Sequence, residues 1–87
     1  MTLRHAITVA LYEHREIDPH ALHNYLRVAR WRRRVSWWTR FRLSERRVRD
    51  ELECMGNAVT SRNGGGRILY RLSPLTRRWL ERIWGAP

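Results

Sequence analysis

Leu43-Ser-Glu-Arg-Arg-Val-Arg-Asp-Glu-Leu-Glu-Cys-Met-Gly56, continuing through Asn57-Ala-Val-Thr-Ser-Arg-Asn-Gly-Gly-Gly-Arg-Ile-Leu-Tyr-Arg-Leu72, is the stretch on which the fold turns. Ser44 suits a helix cap, because its hydroxyl can accept an N–H that the first helical turn leaves unsatisfied. Val48, Leu52 and Met55 follow at i, i+4 and i+7 on one apolar face, and Gly56 supplies a positive-φ stop. The spacing predicts a helix over residues 44–56. Its opposite face carries Arg46, Asp50 and Glu53, flanked by Arg47 and Arg49. Beyond it, two β-prone runs surround Asn63-Gly64-Gly65-Gly66, which predicts a hairpin over 58–72 with its tip at Asn63–Gly66. In the second run Ile68, Tyr70 and Leu72 alternate with Arg67, Leu69 and Arg71, so one side is expected inward and the other charged.

Working outward, Ser73-Pro74 starts a last helix over 74–85, with Leu75, Trp79, Leu80, Ile83 and Trp84 as its apolar positions. Toward the N-terminus, Thr2 caps a first helix whose face is Leu3, Ile7, Ala10, Leu11 and His14. Asp18-Pro19 starts a second helix, pairing a capping carboxylate with a residue whose missing N–H costs nothing at the first helical position. Leu22, Tyr25, Leu26 and Ala29 form its buried stripe. From Arg30 to Arg42 the period is lost: the segment either extends the second helix or makes an irregular turn with Ser36 capping a short helix.

The whole chain is 87 residues, the size of one domain, with 43% hydrophobic and 10% aromatic residues, enough to close a core. Cys54 is its single cysteine, which excludes an intrachain disulfide framework and a Cys-rich zinc site and agrees with a reducing, cytoplasmic setting. No apolar run approaches the ~20 residues that span a bilayer, and no leader pattern is present, so no membrane is expected. Eighteen basic residues against eight acidic ones give a formal charge of +10, and all eighteen are arginine. Such a balance points to a polyanionic partner, nucleic acid first, and the guanidinium fork matches both phosphate and guanine.

From Leu43 onward the residues resemble the second half of a winged helix-turn-helix domain, as found in small prokaryotic and viral transcription regulators. Leu43 to Leu52 is similar to the recognition helix, and Met55-Gly56 with Val59 to Leu72 is similar to the helix-to-wing passage. The resemblance covers residues 43–73 well and the first two helices by order and length. It implies a mainly α fold with a small β-hairpin and an additional C-terminal helix, acting as a double-stranded-DNA-binding regulator. The chain departs from that pattern between the second and third helices, where about ten extra residues hold three tryptophans and six arginines.

The residues expected on DNA fall in three groups. Ser44, Arg46, Arg47 and Arg49 belong to the recognition helix, whose N-terminal half enters the major groove and reaches guanine or phosphate. Against this, Arg46/Asp50 and Arg49/Glu53 are i,i+4 pairs that suit any solvated helix. Arg62, Asn63 and Arg67 belong to the wing, where guanidiniums lie along phosphates or enter the minor groove; an ordinary basic hairpin is the alternative. Arg32, Arg33, Arg34, Arg40 and Arg42 belong to the Trp/Arg segment, where Trp31, Trp37, Trp38 and Phe41 either stack on bases or complete the core.

Trp79, Leu80, Ile83 and Trp84 form a stripe wider than one small domain needs, so a homodimer through the last helix is expected, with a monomer that folds this helix over the first as the alternative. His20 and His23 have a chelating spacing but lack a third ligand nearby in sequence. No nucleophile, phosphate loop or isolated acid pair suits catalysis, so no enzyme, metal, cofactor or small-molecule ligand is expected. The alternative functions are a sequence-independent coating or RNA-binding protein and a phage or plasmid modulator of a host protein.

Overall fold

A computed structural model describes residues 2–27 and 43–85. These form four α-helices and one antiparallel hairpin, in the order α1 (Leu3–Glu13), α2 (Pro19–Arg27), α3 (Glu45–Cys54), β1 (Val59–Gly64), β2 (Arg67–Leu72) and α4 (Pro74–Trp84). The fold is thus mainly helical with a small hairpin. The expected Trp/Arg segment, including Arg32, Arg33, Arg34, Arg40 and Arg42, lies outside the described residues, as does Ala29.

Each helix start is set by a short polar side chain. The Thr2, Ser44 and Ser73 hydroxyls accept from the backbone N–H groups of His5, Arg47 and Thr76, and Asp18 Oδ1 accepts from Ala21 N at 3.3 Å. Gly56 ends the α3 region with φ of 57°, the left-handed conformation that a residue with a Cβ adopts at a cost.

The core forms where these helices meet. Leu3, Ala6, Ile7, Ala10 and Leu11 of α1 pack with Leu22 and Leu26 of α2, Val48 and Leu52 of α3, Leu72 of β2 and Leu80 of α4. The sequence expects His14 on the α1 face; α1 stops at Glu13, leaving His14 half-buried just beyond it, and Ala6 adds to the buried face. His14 caps the helix and meets Tyr25 edge-on at 4.7 Å.

In the hairpin, Val59 pairs with Leu72 and Gly64 with Arg67, leaving only Gly65 and Gly66 as the turn. Both have positive φ, 60° and 80°, which a tight two-residue hairpin turn requires and a Gly-Gly pair supplies without strain. The tip is therefore two residues narrower than expected, and Asn63 belongs to the ladder opposite Ile68. The inward side also fades along β2. Leu72 is buried and Tyr70 half-buried, but Ile68 is 55% exposed, because near the tip it has left the helices that cover Leu72.

One further pairing fixes the hairpin to the helices. Between α1 and α2, Ile17 N donates to Tyr70 O at 3.0 Å and Tyr70 N donates to Ile17 O at 2.9 Å. This antiparallel bridge adds a one-residue third strand beside β2. A single residue has no period, so nothing in the sequence announces it.

Candidate nucleic-acid interface

Helix α3 is seated by Val48 and Leu52, which are fully buried against α1 and α2. Its flanks are tied down as well: Arg4 Nε donates to Glu51 Oε1 at 2.8 Å, and Glu45 receives Arg49 at 3.0 Å and lies 3.3 Å from the His20 ring. What remains outward is Arg46, Arg47, Asp50, Glu53 and Cys54, all exposed. Arg46 and Arg47 make no ion pair among the described residues, so their guanidiniums are free to meet a ligand. The expected i,i+4 pairs Arg46/Asp50 and Arg49/Glu53 do not form; Arg49 turns back to Glu45 instead. Ser44, expected on the ligand, has its hydroxyl engaged as the α3 cap.

The hairpin arginines are in a different state. Arg62 forks onto Glu16, with Nε donating to one carboxylate oxygen and an end nitrogen donating to the other at 2.8 Å. That hydrogen bond holds the Glu16 carboxyl below its ordinary range, with the charges of Arg62 and Arg71 adding to it, and raises the Arg62 guanidinium above its own. Arg67 lies 3.9 Å from Asp18 Oδ2. Both acids flank Ile17, so the bridge that docks the hairpin also brings carboxylates to its arginines. The sequence sets Arg62 beside the hairpin tip; the structure places it in the ladder and in a charge pair.

A cleft separates α3 from the hairpin. Asp18, His20, Glu45, Arg49, Glu53 and Arg67 line it, with Tyr70 and Ile68 as its apolar part. Its three carboxylates and two arginines nearly cancel, so the floor of the cleft lacks the excess of positive charge that the whole chain carries. Among the described residues no group of three His, Cys, Asp or Glu is placed to hold a metal. His20 instead faces Glu45 and Asn24.

Helix α4 packs on α1, and its Arg77 and Glu81 share a groove with Glu16 and Arg71. Leu80, expected in an interface between copies, is 4% exposed and belongs to the monomer core. Trp84 stacks on His5 with ring centres 6.2 Å apart and meets Tyr12 edge-on at 5.3 Å. Tyr12 Oη donates to Gly85 O at 2.6 Å, and Arg77 donates to Leu11 O at 3.0 Å. The sequence offers two apolar stripes on this helix, and these contacts select Leu80 with Trp84 as the inner one. Among the described residues no helix is long and apolar enough to cross a membrane.

Glu16, Asp18 and the Ile17–Tyr70 bridge are the site features that sequence reasoning missed. Their signal is the short acid–apolar–acid run before Pro19, which is too brief to read without its partner strand. Comparison with protein family models, curated proteins and solved structures gives no match to the chain.

Proposed function

We propose that the chain is a double-stranded-DNA-binding transcription regulator of winged helix-turn-helix type, working in the cytoplasm, with α3 as recognition helix and the hairpin as wing. The observation that carries this reading is the outward face of α3. Arg46 and Arg47 stand free on the N-terminal half of a helix that Val48 and Leu52 hold rigidly on α1 and α2. A helix so presented fits the major groove, where an arginine fork matches guanine O6 and N7. The element order supports the same reading, since α1, the Ile17 bridge, α2, α3 and a hairpin follow one another as in a winged helix. Asp50, between the arginines and without an ion pair among the described residues, is poised to accept from a cytosine amino group.

Selection of bound fragments from random duplex DNA at physiological salt, followed by titration of the enriched sequence, tests the proposal. A common motif should emerge, and log K against log[salt] should slope at roughly −4 to −7 as five to eight arginines replace counterions. A slope shallower than about −2 removes nucleic acid as the main partner. A steep slope with no enriched motif moves the reading to sequence-independent coating.

A further inference from the structure

A groove of about 740 Å³ lies between the end of α1, the end of β2 and α4. Three acids, Glu13, Glu16 and Glu81, and three arginines, Arg15, Arg71 and Arg77, line it, with the Tyr12 ring and Pro74 as apolar parts. The two signs balance there, in a chain of formal charge +10. A pure anion gains little in such a groove, because each arginine it meets comes with a carboxylate.

Most of these charges are already engaged. Glu16 takes the fork of Arg62, and Glu13 accepts from Tyr25 Oη. Arg77 donates to Leu11 O at 3.0 Å and to Tyr12 O at 3.4 Å. Arg71 gives its Nε to Thr60 Oγ1 at 3.2 Å, which leaves its end nitrogens without a partner among the described residues. The Arg15 and Glu81 side chains have no ion pair or hydrogen bond among the described residues. Glu81 is half-buried, and Arg77, its ordinary i,i+4 partner, turns to the α1 carbonyls instead. A carboxylate partly withdrawn from water without a counter-charge is costly, and a bound cation offsets that cost. An arginine and a carboxylate share one groove here, each unpaired and neither reaching the other. A ligand that carries both signs satisfies both.

We infer that the groove binds a small zwitterion of the amino-acid and short-peptide class, with its carboxylate on Arg15 and Arg71 and its ammonium on Glu81. Guanidiniums match a carboxylate through paired N–H donors, and the body of the ligand lies against Pro74 and the Tyr12 ring. The volume falls within the ~300–1,000 Å³ of small-molecule sites and leaves room for two or three linked residues. The sequence offers no sign of the site, because its charges come from three separate elements. The inference does not rest on the nucleic-acid reading, since Arg15, Arg71 and Glu81 are none of the residues proposed for DNA.

Amide chemical-shift mapping of the isotope-labelled full chain, titrated with triglycine to ~20 mM, tests this. Saturable shifts should appear at Arg15, Arg71, Glu81 and their neighbours, with Kd near ~1 mM, as suits a ligand of this size. Acetyl-triglycine, which lacks the ammonium, and triglycine amide, which lacks the carboxylate, should each bind about tenfold more weakly. Glu81→Gln should abolish the preference for the free ammonium, and Arg15→Ala the preference for the carboxylate. Arg71→Gln should act as Arg15→Ala does, and serves in its place should that variant fail to fold. The absence of saturable shifts overturns the inference, as does binding that both Glu81→Gln and the arginine variants leave unchanged. Acetyl-triglycine binding as tightly as triglycine means that the arginines attract any anion, and overturns it equally. Saturable shifts confined to α3 and the hairpin tip overturn it by placing the ligand elsewhere.

Discussion

Two sets of arginines stand on neighbouring surfaces of this domain and differ in everything but residue type. Arg46 and Arg47 ride on a helix anchored from below and face solvent without counter-charges among the described residues. Arg62 and Arg67 ride on a hairpin and face Glu16 and Asp18 from the α1–α2 connection. Net charge alone treats the four as equal. The structure separates them: the helix pair is unpaired among the described residues, Arg62 is held by a two-pronged bond to Glu16, and Arg67 lies at the looser distance of 3.9 Å from Asp18. On the proposed reading, the helix is where a base contact would form at full strength, and the hairpin would hold its charge in reserve until a phosphate competes for it.

The largest expected effect removes the helix from the comparison. Leu52→Ala takes a fully buried side chain from beneath α3 and should cost ~2–5 kcal/mol of stability, read from a denaturant melt. Duplex binding should fall with it, whereas a loss below about 1 kcal/mol means that α3 is not held as described.

Next come the helix arginines themselves. Arg46→Ala and Arg47→Ala should each cost ~1–3 kcal/mol in duplex affinity and relax preference at particular base pairs. Arg62→Ala should cost less and act on all sequences alike, because its charge already has a partner. A larger loss from Arg62 than from either helix arginine inverts the comparison.

Glu16→Gln sharpens it from the other side. Freeing Arg62 should raise duplex affinity about two- to fivefold at low salt and steepen the salt slope by roughly 0.9, the contribution of one more displaced counterion. The gain should vanish in the Glu16→Gln, Arg62→Ala double variant.

The smallest effect is on pH. Glu16 is held below its ordinary value of 4.5 in the folded chain, so its contribution to stability is present above that value. The contribution is lost as pH falls through the lowered, folded-state pKa. An NMR titration of the Glu16 carboxyl should therefore show a midpoint below that of the unfolded chain, and Arg62→Ala should return it toward 4.5.

Much of the fold was legible in the sequence, and the reason is locality. Ser44, Val48, Leu52 and Gly56 specify α3 within thirteen residues, and cap, stripe and stop agree with one another. The hairpin was legible in place but not in register. Three consecutive glycines permit several tight turns, and pairing of Val59 with Leu72 at the far end chooses among them. Helix α4 showed two apolar stripes of similar strength, and only the docking of Trp84 on Tyr12 and Arg77 on the end of α1 decides which turns inward. The candidate interface was legible as a set of arginines but not as a set of free charges. Whether Arg62 is paired depends on Glu16, which is distant in sequence and is delivered by a strand one residue long.

The Ile17–Tyr70 bridge also bears on how the chain folds. It joins the first half of the molecule to the last, so its two hydrogen bonds form only after a long loop has closed, at an entropic cost that local contacts do not carry. The hairpin and the helices can each form from nearby residues. Their union at Ile17 is a non-local contact, of the kind that slows folding in domains of mixed topology. Each of the Ile17 and Tyr70 amides donates only across this bridge, so their hydrogen exchange should report how firmly the hairpin is held on the helices.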